Sequence, residues 1–478
     1  MANMSRRGGG FARLMSTDLH YLALADVARR LEARTLSSVD VTRALLDRIA
    51  RVDRELKSFA VVTPERALAD AAERDAEAAS GRRRGPLHGV PIAVKDLCDT
   101  AGVPTAAGMA IHRRRLPDKD ATVVARLKAA GAVLLGKLQM TEGAFGAHHP
   151  TIPAPLNPWN AAYWVGASSS GSGAATAAGL CYASLGSDTG GSIRFPSTMN
   201  GLSGLKPTWG RVSRAGVFPL AESLDHVGPM ARSALDCAWM LRAIAGADAD
   251  DPTSAPVPVP DYVAAIDAGV RSKRIGMPAD LVDLDSDSRR TLEGAARTLR
   301  QAGAEVVQVA LPSLFEQASR DWIALCAVET ALAHEATYPS QAGDYGPVLA
   351  DLIEAGRRMP AVDYARLQHR RAAATGALDG LLASLDLLLM PVMGTAAWSL
   401  EGLAAAGRDP EAVAARLRYT APFDLSGHPT LTLPGGMTSD DVPTGFQIVG
   451  RAFDESAILA AGHAFQQATE WHLKRPLP

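Results

Sequence analysis

Between Leu22 and about Ala79 the apolar residues recur three and four positions apart, as in Val27, Leu31, Val41, Leu45, Ile49 and Val52. That is the period of amphipathic helices with one buried face. Ser37-Ser38-Val39-Asp40 supplies side-chain acceptors where the second of these helices would begin. Past Ala79 the texture changes to short apolar runs, each closed by Gly, Pro or a polar cluster: Val90 to Val94, Val133 to Leu135, Leu180 to Leu185, Ile275 to Met277 and Leu385 to Met390. Stretches of helical period lie between them, at Ala121 to Ala130, Ser233 to Ile244 and Ser288 to Ala302. Strands alternating with helices in this way predict an α/β fold with a large, mixed or mainly parallel sheet buried between helices. Residues 250–260 hold four prolines and read as an exposed connection.

The expected organisation is a loose leader over 1–20 followed by a single domain over 21–478. Within that domain come a helical N-terminal part (about 21–80), a core (about 81–250) and a second half with a partly helical cap (about 313–380). The leader carries Arg6, Arg7 and Gly8-Gly9-Gly10 rather than a continuous apolar stretch, so it does not read as a secretory signal. No window reaches the roughly 18 uninterrupted apolar residues of a membrane span.

A formal charge of -2, from 49 basic and 51 acidic residues along 478 positions, leaves no basic field to hold a polyanion, and no nucleic-acid partner is expected. The clusters Arg82-Arg83-Arg84 and Arg113-Arg114-Arg115 are not interleaved with aromatics and read as solvated loop charge. Cys98, Cys181, Cys237 and Cys326 lie far apart without metal-ligand spacing, which fits a reduced, cytoplasmic protein.

Several motifs fail. Gly131-Ala-Val-Leu-Leu-Gly136-Lys137 has the outline of a phosphate-binding loop, but Leu138 stands where a hydroxyl must hold magnesium, and the intervening residues are apolar and strand-like. The nucleophile-elbow pattern G-x-S-x-G does not occur. His148-His149 lacks the helical spacing of a zinc site.

What remains is Gly166-Ala-Ser168-Ser169-Ser170-Gly-Ser172-Gly173, an alanine-rich helical run, and then Gly186-Ser187-Asp188-Thr189-Gly190-Gly191-Ser192-Ile-Arg194. Thr189-Gly190-Gly191 lets consecutive backbone N–H groups converge without side-chain obstruction, as an oxyanion requires, and sets the hydroxyl of Ser192 beside them. A serine hydroxyl needs a base, and no histidine lies near either cluster. Lys95 follows the apolar run Val90-Pro-Ile-Ala-Val94, which would carry its amine to the end of a buried strand, where burial lowers an amine's pKa.

His88-Gly-Val-Pro-Ile-Ala-Val-Lys95-Asp96, the double serine cluster and Asp188-Thr-Gly-Gly-Ser192-Ile-Arg resemble, in order and separation, the hallmark segments of the amidase signature family. The resemblance continues through Gly204 to Arg211, Ser223 to Pro229, Ala421 to Pro429 and Gly445 to Gly450, and so covers nearly the whole chain. It implies the amidase signature fold and a Ser-cisSer-Lys triad falling on Ser192, Ser168 and Lys95. The N–H groups of Thr189, Gly190, Gly191 and Ser192 form the implied oxyanion hole, with Ser187, Asp188 and Arg194 as support, the last two through a salt bridge. No metal or organic cofactor is implied. Ala167 departs from the family's usual glycine before the cis serine, and Leu138 from a usual Thr or Ser, which would make that wall of the pocket more apolar. Met140, Phe145, Trp159, Trp164 and Phe195 lie on or near segments that should line the site and suggest an apolar acyl or aryl pocket.

The expected activity is hydrolysis of a small aryl or apolar amide, extending to carbamates (a urethanase) or esters, by a protein of this size for which a homodimer is an ordinary state. Two alternatives stand beside it: the glutaminase subunit of a tRNA-dependent amidotransferase, and a catalytically silent scaffold on the same fold. Phe195 and the Pro422-Phe423-Asp424 segment look more like stand-alone amidases than like amidotransferase subunits.

Overall fold

A computed structural model describes residues 19–476. Its centre is one sheet of eleven strands: β1 (Phe59–Val62), β2 (Pro91–Lys95), β3 (Val133–Leu138), β4 (Ala183–Asp188), β5 (Ser203–Lys206), β6 (His226–Ala231), β7 (Arg274–Pro278), β8 (Glu305–Val309), β9 (Leu387–Pro391), β10 (Thr430–Met437) and β11 (Pro443–Val449). Their order across the sheet is β1-β3-β2-β4-β6-β5-β10-β11-β9-β7-β8. The sheet is mixed. β2 runs parallel to both β3 and β4, and β7 to both β8 and β9, while the central ladders from β4 through β6, β5, β10 and β11 to β9 are antiparallel. Helices cover both faces, so β2 to β6 and β9 are buried along their whole length, as the α/β pattern of the sequence implies. The edge strands β1 and β8 contain no fully buried residue, and β8 carries Glu305 and Gln308 outward.

The N-terminal helices form where the period placed them. Leu24–Glu32 and Ser38–Leu56 bury Val27, Leu31, Val41, Leu45 and Ile49, and the Ser37 hydroxyl caps the second by accepting from Asp40 N at 3.0 Å. One element interrupts that stretch: four residues fold into β1 and pair with β3 before the helix Pro64–Ala79 begins. The run Leu180 to Leu185 is shifted, because Gly179 ends the preceding helix in a left-handed turn and pairing starts only at Ala183. In the second half, helices Leu314–Ala333, Pro347–Arg357 and Ala361–Ala383 pack against one another beside the sheet and fill the region expected to be helical. Of the expected leader, only Leu19 and His20 fall within the described residues, in a short 3-10 turn. Among the described residues no helix is long and apolar enough to cross a membrane, and all four cysteines are free and buried.

Candidate active site

β2 and β4 lie side by side in parallel register, Ala93 opposite Ser184 and Val94 opposite Leu185, so their C-terminal ends open at the same place. Crevices at such strand ends are where open α/β sheets bind ligands. Lys95, the last residue of β2, sends its Nζ 2.7 Å from Ser168 Oγ and 2.8 Å from Ser187 Oγ on β4. The amine is fully buried and has no carboxylate within ion-pair distance among the described residues. Burial pushes its pKa down to about 7, against the weaker pull of Asp188 and Asp225. The Cys98 thiol nearby is pushed by burial up to about 12, so it stays protonated and is no rival nucleophile.

The serine-rich segment is held against β4. Ser169 Oγ donates to Ser187 O at 3.2 Å, Ser172 Oγ donates to Leu185 O at 2.9 Å, and Ser169 N donates to Ser192 O at 3.3 Å. The Ala167–Ser168 peptide is cis, and the helix Ser170–Ala177 starts directly after it. Ser192 stands between the end of β4 and the helix Arg194–Asn200, half-buried, and opens with Ser168 onto one cavity.

The loop from Asp188 to Arg194 is braced from beneath. Asp188 accepts from Gly191 N at 2.6 Å, Ile193 N at 2.9 Å and Arg194 N at 3.3 Å, and from the Arg194 guanidinium at 2.9 and 3.0 Å. Burial opposes its ionisation, but Arg194 outweighs burial and holds the carboxyl well below the usual range. Asp424 completes the buried cluster from the other side of Arg194. From above, Trp322 Nε1 donates to Thr189 O at 2.6 Å, Thr420 Oγ1 donates to Gly190 O at 2.6 Å, and Thr189 Oγ1 donates to Asp225 Oδ1 at 2.6 Å. Because a peptide is planar, fixing Thr189 O also fixes the opposite direction of Gly190 N–H. Glycine is required there, since a Cβ at Gly190 would lie 2.5 Å from the Trp322 ring. Gly191 N–H, by contrast, is turned down onto Asp188.

Above these groups lies a cavity of about 600 Å³. Phe145, Trp164, Phe195, Trp322 and Trp398 give it an aromatic wall, with Trp164 and Phe195 packed at 5.8 Å between ring centroids. Two short helices, Leu400–Ala405 and Pro410–Leu417, close it from the far side with Leu403, Val413 and Leu417. No histidine lines it among the described residues.

The Amidase family profile matches residues 40–459. The chain belongs to the amidase signature family. Its relatives include the candidate amidase AmiD of Mycobacterium tuberculosis, 50% identical over 97% of this chain and 98% of that protein. A glutamyl-tRNA(Gln) amidotransferase subunit from Chloroflexus aggregans is 38% identical over 96% of this chain and 99% of its own length. Among solved structures, the native peptide amidase of Stenotrophomonas maltophilia superposes with a TM-score of 0.81 at 32% identity, covering 95% of this chain and 98% of that one.

Not every residue that the sequence assigned to the pocket of this amidase signature protein lies there. Met140 is fully buried in the core, because the chain turns at Gly143 (φ 53) and only from Ala144 onward faces the cavity. Leu138 is likewise core on β3 and forms no wall, and Trp159 instead donates its Nε1 to Asn200 O at 3.0 Å. Lys137 holds no phosphate, for its Nζ donates to Cys98 O and Thr105 Oγ1, both at 2.6 Å. His148 and His149 are spent on Ser170 Oγ and Thr151 Oγ1. Sequence reasoning missed Trp322, Thr420 and Asp225, which fix the loop before Ser192, and the far wall at 398–417. Asp225 does sit in the resembling segment Ser223 to Pro229, which was a signal for it, whereas Trp322, Thr420 and the far wall lie outside every marked segment.

Proposed function

We propose that the chain hydrolyses the C–N bond of a small amide with an apolar or aryl portion, through an acyl-enzyme on Ser192. One observation carries this reading: a buried amine with a pKa of about 7 stands 2.7 Å from Ser168 Oγ, on the same cavity as Ser192. At neutral pH a large share of Lys95 is unprotonated and can take a proton. Ser192 Oγ attacks the carbonyl carbon, its proton passes to Ser168, and the Ser168 proton passes to Lys95. The carbonyl π pair moves onto oxygen, where backbone N–H groups of the 189–192 loop stabilise it. With Gly191 N–H engaged by Asp188, the donors available are those of Thr189, Gly190 and Ser192. Collapse expels the amine, which takes the relayed proton back, and water repeats the sequence on the ester.

Carbamates and esters present the same carbonyl and fall within the reading. The four free, buried cysteines support a cytoplasmic setting. A second reading, the glutaminase component of an amidotransferase, draws on the amidotransferase relatives, but the aromatic walls favour an apolar group over the polar side chain of glutamine. The test is release of aromatic amine from aryl amides and carbamates, and of ammonia from primary amides and glutamine, by wild type and Ser192→Ala. Turnover of aryl amides that disappears in the variant supports the proposal. Turnover of glutamine alone, dependent on an added partner, or turnover that survives in Ser192→Ala, contradicts it.

A further inference from the structure

The far wall of the cavity carries an arginine that makes no ion pair among the described residues. Val413, Arg416 and Leu417 occupy one face of the helix Pro410–Leu417 at positions i, i+3 and i+4, and all three line the cavity that holds Ser192. Two of them are apolar, as that position demands. Arg416 is half-buried between them, its Nη1 donating to Gly407 O at 2.9 Å, and it makes no ion pair among the described residues. Two other arginines around this segment are paired, whereas Arg408 stands exposed in water. Arg418 pairs with Asp283 at 2.7 Å, and Arg320 with Glu411 at 3.0 Å. Asp409, the acid nearest in sequence, attracts Arg416 without reaching ion-pair distance, while its Oδ1 caps the helix by accepting from Glu411 N and Ala412 N at 3.1 Å. Asp351 also lines the cavity but is exposed, as is Arg408.

A guanidinium held partly out of water among apolar side chains is unfavourable unless an anion meets it. Packing of its stem alone would be a structural role. The direction it faces suggests more, because the remaining donors of its planar fork match a carboxylate in a bidentate fashion. Taking the catalytic reading above as given, we propose that Arg416 forms an anion subsite at the distal end of the cavity. It selects amides whose apolar acyl or aryl portion ends in a carboxylate. Such a substrate would lay its chain along Trp164, Phe195 and Trp398 between Ser192 and the guanidinium.

The test pairs p-nitroanilides of linear half-acids with those of neutral alkanoic acids of equal length, over a series from glutarate to sebacate. Wild type is expected to prefer the anionic member at one optimal length by about 10- to 100-fold in kcat/KM, the range of a hydrogen bond to a charged group. Arg416→Gln should bring that ratio to near one, while Arg408→Gln should retain it. Calorimetric titration with free α,ω-dicarboxylates and matching monocarboxylates reads the same subsite without turnover. Tighter dicarboxylate binding, lost in Arg416→Gln, supports the subsite even if no anilide is cleaved, an outcome that would fault the catalytic reading instead. Equal kcat/KM for both series in wild type, equal titrations, loss of both series by one factor in Arg416→Gln, or selectivity that follows Arg408 would overturn the proposal.

Discussion

Replacing Trp322 by phenylalanine tests whether the loop before Ser192 is aimed by a single indole. The indole Nε1 is 2.6 Å from Thr189 O, and the ring sits where a Cβ on Gly190 would be, so the residue fixes one peptide plane by hydrogen bond and by contact. Phenylalanine keeps an aromatic surface in the cavity but removes the donor and part of the ring. Leaving a buried carbonyl without its donor costs about 1–3 kcal/mol. Losing an oxyanion donor outright lowers kcat by about 100- to 1000-fold. Here the Gly190 N–H is loosened rather than deleted, because Thr420 still holds Gly190 O and Asp225 still holds the Thr189 hydroxyl. A fall in kcat of about 10- to 30-fold, or about 1.4–2 kcal/mol, is therefore expected. It should appear equally on an aryl amide and on the corresponding ester, since both develop the same oxyanion. The assay is steady-state kinetics on that pair together with urea denaturation. A kcat within about twofold of wild type, with only KM or the denaturation midpoint moved, would refute the claim that Trp322 orients the loop.

Two further outcomes follow from buried charge. In the proposed mechanism Lys95 acts as a neutral amine, and burial lowers its pKa to about 7, so kcat/KM should rise with pH through an apparent pKa near 7 and level off above it. A limb near the ordinary lysine value, read from a pH series on a neutral substrate, would show that the amine is not desolvated. Asp188→Ala removes the carboxylate that takes three backbone N–H groups and the Arg194 guanidinium, leaving buried Arg194 with Asp424 as its one carboxylate partner. It should cost about 3–5 kcal/mol by chemical denaturation, and an unchanged midpoint would contradict the bracing role.

The sequence was most legible where local pattern and chemistry coincide. Val90 to Val94 is a compact apolar run followed by a lysine, and it folds as a fully buried strand whose C-terminal end delivers that lysine to Ser168. Two of the strands that escaped notice have compositions that argue against pairing. β6 contains Gly228-Pro229, and β10 contains Pro434-Gly435-Gly436, where the register with β11 shifts. β1 is four residues between two strongly periodic helices, too short to break their pattern, and it exists because β3 offers an edge. Phe145 and Met140 are both apolar and close in sequence, and only the left-handed turn at Gly143 separates lining from core. Trp322 reaches Thr189 across 133 positions, and nothing in its own helix distinguishes an indole that donates to the loop from one that merely packs. The distal arginine was equally invisible, because its meaning depends on which acids its neighbours have already taken.

The central claim is that Ser192 carries the acyl group. Reaction with a slowly deacylating activated aryl carbamate, followed by intact-mass measurement and peptide mapping, tests it most directly. The account predicts one added carbamoyl mass on the peptide containing Ser192, absent in Ser192→Ala and slowed in Lys95→Ala. Label on another residue, or stoichiometric label that persists in Ser192→Ala, would contradict it.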